Sequence, residues 1–337
     1  MKKFIIIIII LIFLILSSSF LFLAYGPGGF NQQIEFTVQE NFGASSIANE
    51  LKAKGLIRSK IVFKLLARFS GLENKLIAGT HVFPARASIA DILKLLSLKQ
   101  LSSREVKITI IEGWKIKDIA EYLKNQGFFT EEDFLEAAKI NNWKSFYYFL
   151  DDPQIKTLEG YLFPDTYIVY RDAKPEDIIK KMLDNFKNKI NSEILIDLKN
   201  SGRSLHEAII LASIIEKEAL YDEDRYMISD IFLKRLKEGI GLQSDATVNY
   251  VTGKKTLRPS AKDLKIDSPY NTYKYRGLPP GPICNPGLSS IIASVYPKSN
   301  PYFYFLTDNE GRAHFAKTYN EHLINIAKYL DKNNNSL

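Results

Sequence analysis

The sequence predicts an α+β protein in which an N-terminal transmembrane helix precedes a small α/β subdomain and then a larger mixed α+β domain. Three observations support this fold class. The stretch from Phe4 to Tyr25 is almost wholly apolar; short alternating segments typical of strands are interspersed with segments of helical spacing; and one strand-turn-helix pattern occurs twice. About 310 residues follow the apolar stretch, a length that suggests two or three domains.

The apolar stretch is long enough to cross a bilayer, which takes roughly 20 residues. It follows Lys2 and Lys3 and continues past the serines at 17–19. Lysines before the span, with no basic cluster directly after it, predict a single-pass plasma-membrane protein with a cytoplasmic N-terminus and everything from Gly26 onward outside. The alternative is a signal peptide cleaved at the serines. In both cases the functional part is exported.

The composition argues against several classes of function. Cys284 is the only cysteine, which excludes an internal disulfide framework. The formal charge is +7, but no basic run is interleaved with aromatic residues, so nucleic acid is not an expected partner. The histidines and the cysteine have no metal-ligand spacing, no Ser-His-Asp pattern is visible, and no glycine-rich loop suggests a nucleotide. We therefore predict neither a metal nor a cofactor.

The chain divides into predicted segments by composition and pattern. Residues 1–25 form the anchor, and a glycine-rich linker spans 26–33. A subdomain covers 34–100, beginning with a strand at Ile34–Val38 and a helix that starts at Ser45 and stops at Gly55. After a short linker at 101–104, the remainder spans 105–332. In that remainder, 105–150 contains the second strand-turn-helix copy, and 151–332 forms the core.

The two copies align without gaps, residues 37–57 with residues 109–129, at an offset of 72 residues. Seven pairs are identical: Thr37/Thr109, Glu40/Glu112, Ile47/Ile119, Ala48/Ala120, Leu51/Leu123, Lys52/Lys124 and Gly55/Gly127. Both members of two further pairs, Phe42/Trp114 and Leu56/Phe128, are large apolar residues. The identities could reflect a shared packing demand. Alternatively, each copy resembles part of a LysM module, a small sugar-binding domain of cell-wall proteins.

Further elements follow from local signals. The predicted elements are a helix at Ile61–Phe69, a strand at Gly79–Phe83, helices beginning at Ser88, Thr130 and Pro175, a hairpin of Tyr302–Leu306 with Ala313–Ala316, and a last helix capped by Thr318. Another helix starts with a capping box at Ser204 and Glu207 and runs to about Leu220. This helix carries the strongest chemical signal.

Glu216 and Glu218 lie at the end of its apolar run. Burial disfavours a charged carboxylate, so either residue could keep its proton near neutral pH and act as a general acid. Glu216 falls on the stripe of Ile209 and Ala212, whereas Glu218 falls on the stripe of Leu211. Because the helix is apolar nearly all round, its periodicity does not choose between the two glutamates.

Several longer motifs surround this helix in the sequence. They are LEGYLFPDTY (158–167), LASIIEKEA (211–219), LQSDATVNY (242–250), SPYNTY (268–273), RGLPPGPICNPG (276–287), YFYFLTD (302–308) and HFAKTYNEH (314–322). In this order they resemble the endolytic murein transglycosylases of the YceG-like family. The similarity covers nearly the whole exported part.

The resemblance implies a membrane-anchored lytic enzyme that cuts peptidoglycan strands internally. It implies cleavage of the MurNAc-GlcNAc bond to give 1,6-anhydroMurNAc ends, which would limit glycan chain elongation, with peptidoglycan synthases as candidate partners. Glu216, the first glutamate of the E-K-E motif, becomes the catalytic acid/base and Glu218 a supporting residue. The other expected substrate-binding residues are Gln243, Asp245, Tyr250, Asn271, Tyr273, Asn285 and Glu159, because amides, hydroxyls and aromatic rings bind sugars.

Two other functions fit the same residues. A two-carboxylate hydrolase using Glu216 with Asp245 would leave reducing ends instead of anhydro ends. A non-catalytic scaffold of the wall-synthesis machinery would hold glycan through the repeated units.

Overall fold

The computed structural model describes residues 2–98, 105–254, 256 and 258–330. The chain forms two compact units, unit 1 (Met1–Val106) and unit 2 (Lys107–Leu337). It has the mixed α+β character that the sequence predicts, with an apolar N-terminal helix. The predicted linker at 101–104 lies outside the described residues. The finer domain boundaries stay predictions.

Unit 1 packs helices against a two-stranded antiparallel sheet. Its elements are α1 (Lys2–Tyr25), β1 (Ile34–Val38), α2 (Ala44–Ala53), α3 (Lys60–Phe69), β2 (Gly79–Phe83) and α4 (Ile89–Leu96). In the sheet, Ile34 lies opposite Phe83 and Val38 lies opposite Gly79. The sequence predicts both strands with these bounds, because their alternation and flanking turns are local signals.

The N-terminal helix α1 can span a membrane by length and composition, since Phe4–Tyr25 has a mean hydropathy of 3.2. Its last turns belong to the core of unit 1. Ala24 is fully buried, and Phe20 and Leu23 pack against the cluster formed by α2, α3 and α4. Retention of α1 as a membrane anchor stays a prediction.

The predicted linker at 26–33 is folded onto unit 1. The Gly28 amide donates to the Arg86 carbonyl at 2.9 Å, and the Arg86 amide donates to the Phe30 carbonyl at 2.8 Å. A Cβ at Gly28 would lie 2.3 Å from the Ala87 carbonyl oxygen, so only glycine fits this close approach. Gly28 therefore allows a close contact between two backbone segments. A glycine- and proline-rich composition alone does not distinguish such a packed segment from a flexible linker.

Unit 2 begins within β3 and contains the remaining elements. They are β3 (Glu105–Thr109), α5 (Ile116–Asn125), α6 (Glu131–Ala137), β4 (Thr166–Tyr170), α7 (Pro175–Lys189), α8 (Ser192–Asn200), α9 (Leu205–Glu218), α10 (Asp222–Lys237), α11 (Asp245–Thr252), α12 (Leu288–Val295), β5 (Tyr304–Thr307), β6 (Ala313–Ala316) and α13 (Tyr319–Tyr329). Short 3₁₀ turns lie at Ile140–Asn142, Tyr148–Leu150 and Asp263–Lys265. β3 pairs with β4, and β5 with β6.

The helix α9 forms the centre of unit 2. Every residue from Ala208 to Ile215 is buried, and α8, α10, α11 and α12 pack around it. Its capping box is confirmed, since the Ser204 hydroxyl accepts from the Glu207 amide and the Glu207 carboxylate accepts from the Ser204 amide. An apolar helix buried on all sides ends here at Glu218, where the chain leaves the core.

Side-chain caps were predicted correctly at three other helices, where Ser88, Thr130 and Thr318 accept a backbone amide two or three positions into the helix. The cap predicted for α2 is wrong. This helix begins at Ala44, before Ser45, and its cap position is Gly43, which has no side chain to accept a hydrogen bond. Ser45 lies two positions after the cap.

The copies of the repeat form equivalent pieces of the two units. Ile47, Ala48 and Leu51 on α2 are fully buried, and so are their counterparts Ile119, Ala120 and Leu123 on α5. Burial of the identical residues supports the packing interpretation of the repeat. The LysM-like character of the copies stays a prediction.

Candidate functional site

A large cleft lies within unit 2, with a volume of about 1980 Å³. The end of α9, the loop from β3 to α5, the segment at 240–250, the β5–β6 hairpin and α13 contribute to its walls. Pockets for drug-sized ligands usually measure about 300–1,000 Å³. The volume of this cleft therefore suits a segment of an extended polymer.

Glu218, the last residue of α9, lines the cleft. The Ser244 hydroxyl donates a hydrogen bond to its carboxyl oxygen Oε1. The pKa of Glu218 is raised to about 7, chiefly by burial and in smaller part by the charge of Asp245, while hydrogen bonds from Ser244 and the Ala246 amide act in the opposite direction. A carboxyl group with this pKa is about half protonated at neutral pH, so it can donate and accept a proton.

Glu216 has different surroundings and is not part of the cleft lining. Its oxygen Oε2 accepts hydrogen bonds from the Gly287 amide at 3.0 Å and from the Ser290 hydroxyl at 2.7 Å. Arg225 Nη2 lies 3.5 Å from Oε1, and the Glu216 side chain is only 7% exposed. These contacts join α9 to α10 and to the start of α12, so Glu216 holds helices together.

The loop before α12 is packed tightly against a second carboxylate. A Cβ at Gly287 would lie 2.1 Å from Glu112 Oε1, so a larger residue at that position would require the exposed Glu112 side chain to move. Burial raises the pKa of Glu112, and the charge of Glu216 adds to the increase, while Arg225 opposes it. The positive charge of Arg225 therefore acts on both Glu112 and Glu216.

Four predicted binding residues, Gln243, Asp245, Tyr250 and Tyr273, line the cleft together with Glu218. The Tyr273 hydroxyl donates to Asp245 Oδ1 at 2.6 Å. Burial raises the pKa of Asp245, although the hydrogen bond from Tyr273 lowers it in part. The structure thus gathers two carboxyl groups, an amide and two phenol rings at one surface.

Gln243 and Tyr250 are each placed by a cation. Gln243 lies in the left-handed backbone region, with φ of 53°, and its Oε1 accepts from Arg235 Nη2 at 2.7 Å. The Lys115 ammonium lies 5.1 Å from the centre of the Tyr250 ring, a cation–π contact. Both contacts fix the side chains before a ligand arrives.

Asn285 was predicted in the cleft, but it is fully buried and its polar atoms are engaged. Its Oδ1 accepts from the Gly160 and Leu162 amides, and its Nδ2 donates to the Trp114 carbonyl and to Glu159 Oε1, all at 2.9–3.0 Å. Asn285 thus connects the proline-rich loop to the segments at 160–162 and at Trp114. These contacts leave Asn285 no free polar group for a sugar.

Glu159 and Asn271 are also interior residues. Glu159 accepts from the Ile116 amide at 3.1 Å, and burial raises its pKa to about 8. Asn271 is fully buried and donates to the carbonyls of Leu264 and Ile266, each at 2.9 Å. The hydrogen-bonding groups of both residues are engaged within the protein, and their binding roles stay predictions. A polar residue in a loop has the same sequence signature whether it faces a ligand or satisfies buried backbone groups.

Comparison with known families agrees with this architecture. A model of the YceG-like family matches residues 36–328. The chain belongs to the YceG-like family. The match includes parts of both units and the whole of α9, the helix that carries Glu216 and Glu218.

Named relatives of this YceG-like chain include the endolytic murein transglycosylase of Bacillus subtilis (strain 168), 34% identical over 312 residues that cover 89% of this chain and 86% of that protein. The endolytic murein transglycosylase of Streptococcus pneumoniae D39 is 29% identical over 320 residues, which cover 87% of this chain and 58% of the longer relative. The crystal structure of a yceG-like protein from Listeria monocytogenes matches with a TM-score of 0.60 and 31% identity, covering 87% of this chain and 99% of that one.

Sequence reasoning missed several cleft residues of this YceG-like chain. They are Trp114, Lys115, Lys217, Arg235, Ser244, Tyr304, Tyr319 and His322. Trp114 is half-buried, and its ring centre lies 5.1 Å from that of Tyr122, so the two form an aromatic surface at the cleft. A signal existed for Trp114, because the repeat places it in the loop that differs most between the copies. Arg235 and Tyr304 come from distant elements and carry no local signal.

The part of the chain that the structure describes contains no group of three or more His, Cys, Asp or Glu side chains placed to hold a metal ion. The prediction that the protein needs no metal or cofactor stays a prediction. The groups available for chemistry in the cleft are carboxyls, hydroxyls, amides and cations.

Proposed function

We propose that this protein is a lytic transglycosylase that cuts peptidoglycan glycan strands internally. The relatives from Bacillus subtilis and Streptococcus pneumoniae bear the name endolytic murein transglycosylase. The observation that carries the proposal is Glu218, a carboxyl group with a pKa of about 7 at the wall of a cleft large enough for a polymer. Such a group can serve as acid and base in one reaction cycle.

The proposed reaction uses this one carboxyl group twice. Protonated Glu218 donates its proton to the glycosidic oxygen between MurNAc and GlcNAc, and the bond from that oxygen to MurNAc C1 breaks. The resulting Glu218 carboxylate then takes the proton from the 6-hydroxyl of the same MurNAc, whose oxygen bonds to C1. The products are a GlcNAc hydroxyl on one strand and a 1,6-anhydroMurNAc end on the other, with no water consumed.

Positive charge develops at MurNAc C1 as the glycosidic bond breaks. The substrate's own N-acetyl oxygen or the polar groups that line the cleft with Glu218 can stabilise it. Asp245 is the carboxyl group best placed among the cleft residues for this task, since Tyr273 fixes its orientation. Trp114, Tyr250 and Tyr273 offer rings for the apolar faces of the sugars.

We assign the acid to Glu218 rather than to Glu216, the residue that family resemblance favours. Glu216 is bonded to Gly287 and Ser290 and faces Arg225, so its carboxylate is used within the protein. Glu218 is reached from the cleft and has one side-chain hydrogen bond, from Ser244. In this assignment Glu216 is a positioning residue that fixes the end of α9 and thereby Glu218.

Replacing each glutamate by glutamine tests the assignment, since glutamine keeps the size but cannot titrate. Glu218→Gln should lower the rate of glycan cleavage by about 10²–10⁴-fold, the usual contribution of a general acid. Glu216→Gln should keep measurable cleavage but lower the unfolding temperature, because it leaves Arg225 without a charged partner on α9. The assay is incubation of the full chain with purified peptidoglycan, followed by mass spectrometry of the released ends.

Unfolding temperatures serve as the control for both variants. Glu218→Gln should not lower the unfolding temperature, because glutamine can still accept the Ser244 hydrogen bond. The assignment is contradicted if Glu216→Gln abolishes cleavage without loss of stability while Glu218→Gln remains active. Unchanged digestion by both variants would instead support a non-catalytic scaffold.

The pH dependence of cleavage gives a second test. The acid must be protonated before it reacts, so the fraction of competent enzyme is high below the pKa of about 7 and falls above it. We expect kcat/KM to decrease about tenfold per pH unit well above pH 7. Glu216→Gln should show the same alkaline decrease. A wild-type rate that stays constant from pH 6 to pH 9 would argue against a titrating acid at this position.

A hydrolytic mechanism is the second candidate, because Glu218 and Asp245 both line the cleft and could act as an acid and a base on water. The pairing of Glu216 with Asp245 considered from the sequence is less suitable, since Glu216 does not line the cleft. The product mass separates the mechanisms: a hydrolase adds one water to each cut, and a lytic enzyme adds none.

We further propose that α1 anchors the protein in the plasma membrane with its N-terminus in the cytoplasm, which would place the cleft on the side where glycan strands are polymerised. Peptidoglycan synthases are then candidate partners. An export-dependent reporter enzyme fused to the C-terminus should be active; an inactive fusion would refute this orientation.

A further inference from the structure

Helix α3 of unit 1 has an apolar stripe that the core does not use. Ile61, Leu65 and Phe69 are 66%, 39% and 80% exposed. Residues spaced by four lie along one line of a helix, so the three side chains form a continuous strip about two turns long. The core side of α3 is made by different residues, among them Val62, Phe63 and Ala67.

Basic residues run beside this stripe. Lys60, Lys64 and Arg68 are exposed and also recur every fourth residue. Around the helix axis they lie between the apolar stripe and the core-facing residues Phe63 and Ala67. An exposed apolar strip edged by lysine and arginine is typical of helices that lie in the interface of a membrane, because the cations reach anionic headgroups while the apolar side chains enter the acyl boundary.

The position of α3 relative to α1 brings this stripe to the end of the apolar span. Arg58, which directly precedes the α3 cap, lies over the Phe22 ring at 5.5 Å. Ala24 of α1 is in the same core cluster as Val62 and Phe63 of α3, with Leu23 packed against it. The N-terminal part of α3 is therefore adjacent to the last two turns of α1.

The length of α1 sets the depth of these contacts. The 22 residues of Phe4–Tyr25 extend about 33 Å at 1.5 Å per residue, close to the roughly 30 Å of hydrocarbon in a bilayer. If the span is fully used, Phe22 and Ala24 lie within a few ångströms of the boundary between acyl chains and headgroups. An element that packs on those residues lies at the headgroup level.

We propose that α3 is an interfacial helix that inserts Ile61, Leu65 and Phe69 at the acyl boundary of the bilayer crossed by α1, while Lys60, Lys64 and Arg68 bind the phosphates of anionic lipids. This inference goes beyond glycan cleavage, and it depends on α1 being retained as a membrane span. Unit 1 is then attached to the bilayer at two places, through α1 and through the surface of α3.

The test measures the depth of α3 in reconstituted full-length protein. A cysteine introduced as Phe69→Cys is labelled with a small fluorophore, and Asn49→Cys on the exposed polar face of α2 provides the matched control. The native Cys284 is buried, so the unaltered chain reports background labelling. The vesicles contain phosphatidylcholine with or without phosphatidylglycerol, and the quencher is either lipid-attached or aqueous iodide.

We expect lipid-attached quencher to reduce the fluorescence at position 69 at least threefold more than at position 49, and iodide to show the opposite order. Replacing Lys64 and Arg68 by glutamine, or omitting phosphatidylglycerol, should weaken the lipid quenching at position 69. Equal quenching of both positions would overturn the proposal. The proposal would also be overturned if position 69 were shielded from iodide only when several copies share a vesicle. In that case a second copy of the protein, and not the bilayer, would cover the stripe.

Two further measurements separate this proposal from the others. Flotation of the labelled chain with the vesicles shows that α1 is inserted, and failure to float overturns the interfacial role as well. Cleavage of peptidoglycan by the same preparation is measured in parallel. Intact cleavage without lipid quenching at position 69 would refute the role of α3 and leave the proposed enzymatic activity standing.

Discussion

The two copies of the strand-turn-helix repeat have the same internal packing but different surroundings. In unit 1 the hydroxyls of Thr37 and Thr80 are 3.1 Å apart across the strands, and in unit 2 those of Thr109 and Thr166 are 3.0 Å apart. The identical apolar residues of α2 and α5 are fully buried in both units. Most of the identities in this repeat are therefore explained by folding, without any shared ligand.

The copies differ in the turn that joins strand to helix. Both turns contain a left-handed residue at the same aligned position, Asn41 with φ of 66° and Gly113 with φ of 79°. The next residue is Phe42 in unit 1, which packs against the core of its own unit. In unit 2 it is Trp114, which together with Lys115 lines the cleft. The comparison teaches that the residues shared by the copies build the scaffold and that the variable turn builds the site.

The largest effects are expected from the shared core positions. Leu51→Ala and Leu123→Ala should each cost about 2–5 kcal/mol of unfolding free energy, because both side chains are fully buried. Thermal unfolding of the full chain measures this loss. Glycan cleavage at a temperature where both variants are folded should fall more with Leu123→Ala, whose helix supports the cleft. Equal loss of cleavage by the two variants would remove the functional distinction between the copies.

A smaller effect is expected at the aligned turn residues. Trp114→Ala should raise KM for peptidoglycan about tenfold, because a ring that stacks on a sugar contributes roughly 1 kcal/mol or more. Phe42→Ala should destabilise unit 1 and leave the KM unchanged. Steady-state kinetics with soluble glycan strands distinguishes the two. If Phe42→Ala also raises KM, the turn of unit 1 binds glycan, and the LysM-like interpretation gains support.

The smallest effect concerns the paired threonines. Thr37→Val and Thr109→Val keep the side-chain shape but remove one hydroxyl from a cross-strand pair, so each should cost no more than about 1 kcal/mol. Chemical denaturation measures both losses. They should agree within error if the strands play the same role in each unit. A much larger loss at Thr109 would show that its strand has a further task in unit 2.

The sequence predicted those parts of the fold whose signals are local. The caps at Ser88, Ser204 and Thr318 and the bounds of both strands in unit 1 need only neighbouring residues, and they are confirmed. α10 has no simple apolar face, because it buries Arg225 and Arg235 along with its apolar residues. Arg225 binds Glu216 on α9, and Arg235 binds the Gly241 carbonyl and Gln243 just beyond α10; periodicity within α10 does not reveal these contacts.

The site was predictable as a region but not residue by residue. Five of the predicted site residues line the cleft, yet the surroundings of the two glutamates depend on Ser290 and Ser244, which lie 74 and 26 residues further along the chain. A helix that is buried all round has no polar face to show which side opens to solvent. For the same reason, Asn271 and Asn285 could not be told from ligand-binding amides until their buried carbonyl partners were known.

The hydrogen bonds that hold residues 26–30 against unit 1 have a mechanical consequence. A flexible linker would let the rest of unit 1 reorient freely relative to α1. Here the segment directly after Tyr25 is hydrogen-bonded to unit 1, and the last turns of α1 pack in its core. On the proposal that α1 is retained as a membrane anchor, any tilt or rotation of α1 is transmitted to the rest of unit 1, and its orientation is coupled to the thickness and curvature of the bilayer.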